Sequence, residues 1–158
     1  MTALSDPVVL LATSILGVLC GLVGVIDARS MRIPDALNGL VLTSGFAAVA
    51  ITGHSSFATA AIASGLGFGA SWLLREVHRL WRGQLGLGLG DVKFIGAAGA
   101  WLGIDGMAPM ILVATLSALT WVVLLQLTGA HVAMATRLPF GPFLAAGTWT
   151  SWILQRLY

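Results

Sequence analysis

This sequence predicts an all-α membrane protein, a single bundle of six transmembrane helices, and three observations predict it. Of its 158 residues, 58% are hydrophobic and only 9% charged, whereas an ordinary soluble domain carries about a quarter charged residues. Apolar runs close to the ~20 residues that cross a bilayer recur along the whole chain. The charges that remain collect between those runs rather than within them.

The first span is expected over about residues 7–27. Asp6 precedes it with no Lys or Arg, and the apolar run is too long for a signal-peptide core, so it reads as a helix that stays. The second, about 35–52, is entered through Pro34, with Asp35 in its first turn, where proline fits and an acid favours the helix dipole. The third, about 57–75, continues as a charged helical extension from Arg75 to Arg82. Glu76 there forms a surface pair with Arg79, and Trp81 dips into the interface. The fourth, about 89–104, is the shortest and begins among glycines. The fifth, about 107–127, carries no charge, and the sixth, about 139–156, opens on Pro139-Phe140-Gly141-Pro142-Phe143.

Six spans place Arg29, Arg32, Arg75, Arg79, Arg82, Lys93 and Arg137 on one side and Arg156 alone on the other. By the positive-inside rule the first side is cytoplasmic, and both termini are expected to be periplasmic. The net charge of +2 is thereby a topology signal and not a nucleic-acid footprint; the expected surroundings are membrane lipid. Trp101, Trp149, Trp152 and Tyr158 fall near the outer ends and suit an interfacial belt, with one or two of them packing instead. The pairs Gly17/Gly21, Gly65/Gly69 and Gly99/Gly103 are spaced for close helix contact.

Cys20, the lone cysteine, supports neither a disulfide framework nor a zinc cluster and reads as a packing residue. His54, His78 and His131 have no metal spacing. Of the six acids, Asp6 and Asp105 read as solvated turn residues. Asp27 and Asp91 stand apart, one closing the first span and the other opening the fourth, both at the cytoplasmic edge. Ionisable groups at such depth are costly and mark function. If spans one and four meet, the two carboxyls can share a water and one proton, as an aspartic protease requires. On these features alone two other readings stay open: isolated interfacial acids, and a proton relay in a small transporter or channel. The Gly/Leu alternation over residues 85–90 is not a dinucleotide fingerprint, since no strand precedes it. It is either a flexible connector or a place where a peptide approaches closely.

Three segments resemble the prepilin peptidases, a family of GxGD-type membrane aspartyl proteases. They are Ile26-Asp27 with Ile33-Pro34-Asp35; Gly88-Leu89-Gly90-Asp91-Val92-Lys93-Phe94, continuing to Gly99-Ala100-Trp101-Leu102-Gly103; and Pro139-Phe140-Gly141-Pro142-Phe143-Leu144-Ala145. The resemblance implies an endopeptidase that removes the basic leader of type IV prepilins or pseudopilins at the cytoplasmic face of the inner membrane. It implies Asp27 and Asp91 as the catalytic pair and no metal or organic cofactor. Gly88, Gly90, Lys93, Pro139, Gly141 and Pro142 are the supporting residues. Longer members add an N-terminal methyltransferase region with paired CxxC motifs. Residues 1–158 look instead like one protease domain, similar to the forms serving Flp/Tad-type pili. Presenilin-like proteases carry a different, tyrosine-containing first motif. Oligomeric state is not legible. If the two acids share a proton, the dipoles of spans one and four, with Lys93, favour placing it mostly on Asp27, partly offset by Arg29.

Overall fold

The computed structural model describes residues 6–83, 86–128 and 138–157. Leu85, His131, Arg137 and Tyr158, used in the topology and motif expectations, lie outside them. Five helices are found among the described residues: α1 (Pro7–Ser30), α2 (Asp35–Thr52), α3 (Phe57–Arg82), α4 (Leu89–Leu127) and α5 (Gly141–Leu157). The protein is a polytopic all-α membrane protein: α1 to α4 are each long and apolar enough to cross a bilayer.

Local chemistry sets the helix ends. Asp6 is more than a solvated acid, since its side chain accepts from Val8 N at 2.8 Å and caps α1. Met31, left-handed at φ 52°, closes α1 by donating its N–H to Asp27 O at 2.8 Å. Ser56 caps α3 by accepting from Thr59 N, and α3 runs through the charged extension to Arg82. Within that extension Arg79 Nε donates to Glu76 Oε2 at 2.7 Å, the expected pair.

The expectation of six helices is corrected to five. Spans four and five fall on one 39-residue element, α4, with no loop between them. A straight helix of that length would reach about 58 Å, roughly twice the hydrocarbon thickness. It is not straight: Gly103 adopts φ 61° and ψ −173°, a conformation open chiefly to glycine, and breaks it into two limbs. A methyl group on Gly67 of α3 would meet both Ile95 O and Met107 Cε. In a straight helix those two residues would lie about 18 Å apart along the axis, so the second limb folds back beside the first. The turn foreseen around Asp105 is compressed into one residue.

Side-chain register gives the directions. Gln155, Ser151 and Gly147 of α5 meet Leu102, Gly106 and Met110 in turn, so α5 runs antiparallel to the second limb. Asp27 meets Gly141 while Thr13 meets Trp152, so α5 is also antiparallel to α1. The first limb of α4 is central, packed on α2 through Gly45–Ala100 and on α3 through Gly99–Ala63. Leu16, Val23, Val41, Phe94, Met110 and Leu144 fill the core, while Leu11, Leu74, Leu119 and many like them face outward. Such an apolar exterior suits lipid.

Of the belt candidates two pack, as was allowed for, while the glycine expectation changes in part. Trp101 and Trp152 are not belt residues: both are buried, edge to face with ring centroids 5.1 Å apart. Trp149 remains 42% exposed. Of the glycine pairs, Gly17 abuts Trp149 and Gly99 abuts Ala63, but Gly21, Gly65 and Gly69 have open space beside them. Residue spacing selects a helix face without telling which face meets a neighbour.

Candidate active site

The helix ends bearing Asp27 and Asp91 converge on a cavity of about 620 Å³, lined by both acids together with Arg75, Leu87, Gly88 and Pro139. This volume is in the usual range for a ligand site. Both carboxyls thus reach one shared space from different helices.

Asp27 lies in the last turn of α1 and is buried, 4% exposed. Its environment explains how a carboxyl is tolerated there. Gly141, at the start of α5, donates its N–H to Asp27 Oδ2 at 2.8 Å. The first turn of a helix has free N–H groups and a positive dipole end, so α5 receives Asp27 as an acceptor from another element. Any side chain at Gly141 is excluded: a methyl group there would stand 2.7 Å from Oδ2. Pro139 lines the cavity, whereas Pro142 packs on Gly24 of α1 outside it.

Asp91 sits in the first turn of α4, whose N-cap is Gly88. A methyl group on Gly88 would come within 2.8 Å of Asp91 Oδ2, so this glycine leaves room for the carboxyl. Gly90 does a different job. It packs closely on Ile33, which a methyl group would approach to 3.2 Å, so the Ile33-Pro34-Asp35 segment serves as the seat of the Gly88-Leu89-Gly90-Asp91 turn.

Lys93 is not among the residues lining the cavity. Its Nζ bonds to Asp35 Oδ1 at 2.7 Å, joining α4 to the start of α2. Two inputs to the expected placement of the proton therefore change, because Lys93 turns toward Asp35 and a helix N-terminus faces Asp27 as well as Asp91.

Two residues were missed. Asn38, buried in α2, donates from Nδ2 to Gly90 O at 3.2 Å and so holds the backbone beside Asp91. A lone amide near the end of an apolar span was the available signal. Arg75, counted as a topology charge, reaches the cavity wall and donates from Nε to Leu87 O at 3.1 Å. Its position at a span end could not distinguish the two roles. Among the described residues no cluster of three or more His, Cys, Asp or Glu is arranged to hold a metal ion.

The sequence model of the type IV leader peptidase family matches residues 7–124. A prepilin leader peptidase/N-methyltransferase of Neisseria gonorrhoeae is 32% identical over 125 residues, covering 78% of this chain and 42% of that protein. Proteins of the same description from Burkholderia pseudomallei (strain 1026b) and Dickeya chrysanthemi are each 33% identical, over 77% and 76% of the chain. They are covered over 39% and 42% of their own lengths, so the chain spans about two fifths of each of these relatives. No solved structure gives a significant match. With the family's sequence pattern running across α1, α2, α3 and most of α4, and with relatives above 30% identity over three quarters of its length, the chain belongs to the type IV leader peptidase family.

Proposed function

We propose that this protein is a membrane aspartyl endopeptidase that cleaves the leader from type IV prepilins or pseudopilins at the cytoplasmic face of the bacterial inner membrane. Asp27 and Asp91 are its catalytic pair. The observation that carries the proposal is that these two acids, from widely separated motifs, line one cavity at one end of the bundle. Family membership and the printed function of the relatives support the substrate class. The side of the membrane follows from charge. Arg29, Arg32, Arg75, Arg79, Arg82 and Lys93 lie toward the acid-bearing end, and Arg156 lies toward the other. Both chain termini then face the periplasm.

In this reading one carboxylate takes a proton from a water held between the acids, and that water attacks the scissile carbonyl carbon. The other carboxyl gives its proton to the carbonyl oxygen, forming a neutral tetrahedral diol. Collapse of the diol breaks the C–N bond as the departing nitrogen takes a proton. The nitrogen's proton comes from the carboxyl that took it from water, and a diol hydroxyl gives its proton to the other carboxylate, so the leader ends as a carboxylic acid and the pair again holds one proton. The backbone N–H of Gly141 fixes Asp27, while Asn38 and Ile33 fix the turn that carries Asp91.

Purified protein in lipid vesicles, given a prepilin, provides the test. Cleavage should fall by at least about 10³-fold in Asp27→Asn and in Asp91→Asn, with thermal unfolding close to the unmodified protein. Folded Asp variants that cleave normally would reject the proposal. Proton flux across the vesicles that depends on both acids, without cleavage, would favour a relay instead.

A further inference from the structure

Arg75 lines the same cavity as the two acids, and the proposed chemistry as described leaves it without a part. Its side chain is 17% exposed, so it is drawn back from the cytoplasmic surface where a topology charge would sit. Nε is committed to Leu87 O at 3.1 Å, which orients the planar guanidinium along the Gly86-Leu87-Gly88 wall. Its neighbour Glu76 divides its carboxylate between two arginines, pairing with Arg75 through Oε1 but hydrogen-bonding only Arg79. Glu76 is bound by Arg79 at 2.7 Å, while its distance to Arg75 Nη1 is 3.7 Å, beyond a hydrogen bond. The other nearby cation, Lys93, is bound to Asp35. Among the described residues lining the cavity, Arg75 is the one cation.

The charge inventory of the reaction says where such a cation is used. The bound substrate is an uncharged peptide bond, and protonation of its oxygen keeps the tetrahedral diol uncharged. An anion appears only after the C–N bond breaks, when the new terminal carboxylic acid gives up its proton to the freed amine. That carboxylate forms beside an acid pair which repels it. A guanidinium offers two parallel N–H donors to a carboxylate, and a partly buried ion pair of this kind is strong.

We infer that Arg75 binds the newly formed C-terminal carboxylate of the leader fragment, making it the product-binding residue of the cavity. The inference rests on the proposed peptidase reading. It gives the protein a preference for peptides ending in a free carboxylate, which no purely structural arginine would produce.

The test compares two synthetic leader peptides, one ending in a carboxylate and the other in a carboxamide, as inhibitors of prepilin cleavage by the full chain in vesicles. In the unmodified protein the carboxylate form should inhibit at about tenfold lower concentration. Arg75→Gln should bring the two forms within about twofold of each other, and Arg75→Lys should keep an intermediate preference. Equal inhibition by both forms in the unmodified protein would overturn the inference without recourse to any variant. So would a folded, active Arg75→Gln that keeps the full preference. Absence of cleavage by the unmodified protein would instead reject the peptidase reading itself.

Discussion

The two ends of this bundle solve the problem of buried polar groups in opposite ways. At the end away from the acids, aromatic and polar side chains pack on one another and onto backbone carbonyls, leaving Arg156 Nε and one Nη without a hydrogen bond. Trp101 Nε1 donates to Val41 O at 2.8 Å, and Trp152 Nε1 donates to Thr13 Oγ1 at 2.9 Å. Arg156 lies 3.8 Å over the Trp152 ring, and His54 meets that ring edge-on while Nε2 bonds to Trp101 O. At the acid end, backbone donors and acceptors are used to hold loops and carboxyls around an open cavity instead. One end is packed for stability, and the other gives up packing to keep two acids accessible.

That contrast can be broken from either side. Outside the acid pair itself, the largest effect is expected at Gly141. Gly141→Ala forces a methyl group against Asp27 Oδ2 and should reduce cleavage by about 100-fold or more, since small displacements of reacting groups carry costs of that size. Near-normal cleavage by Gly141→Ala would show that the α5 N-terminus does not set Asp27.

At the opposite end the expectation reverses. Trp152→Ala removes a buried ring and its hydrogen bond and should destabilise the protein by about 3 kcal/mol. The folded fraction should still cleave at close to the normal rate. Equilibrium unfolding in detergent, paired with a rate per folded molecule, measures both quantities. A lost rate at unchanged stability would contradict the division between the ends.

A smaller effect is expected from Asn38→Leu, which removes the side-chain bond tying α2 to Gly90 O. The loss should be about tenfold, in kcat and not in KM, because Asn38 acts on the position of Asp91 and not on substrate binding. A change confined to KM would place Asn38 in a different role.

The smallest effect is a pH dependence at the closed end. Burial, then the charge of Arg156, pull the His54 pKa below its usual 6.5, against the bond to Trp101 O, which raises it. The unfolded chain therefore binds a proton that the folded one resists, so stability should decline as pH falls below about 6.5. His54→Gln should flatten that decline. A thermal-unfolding series that is equally steep in the variant would exclude His54 as its source.

Much was legible in the sequence because membrane physics writes strongly. Hydropathy located every apolar segment, and the sorting of Arg and Lys grouped the ends that carry Asp27 and Asp91. The helix count was not legible at Gly103, where one residue's dihedral angles replace a loop. Nor was the division between packing and interfacial tryptophans, since Trp101 and Trp149 both sit near helix ends and only their neighbours differ.

The sequence by itself determined that this is an all-α membrane chain, and its ordered motifs marked Asp27 and Asp91 as the acids to follow. Composition suffices for the first, because long apolar runs are costly outside a bilayer, while the second rests on the motifs taken together. Only the tertiary structure decided that Gly141 meets Asp27, that Asn38 and Ile33 hold Gly90, that Lys93 turns to Asp35 and that Arg75 reaches the cavity. Each of these contacts joins residues far apart along the chain. Which helix face turns toward which neighbour depends on the packing of all the helices together, and no local pattern encodes it.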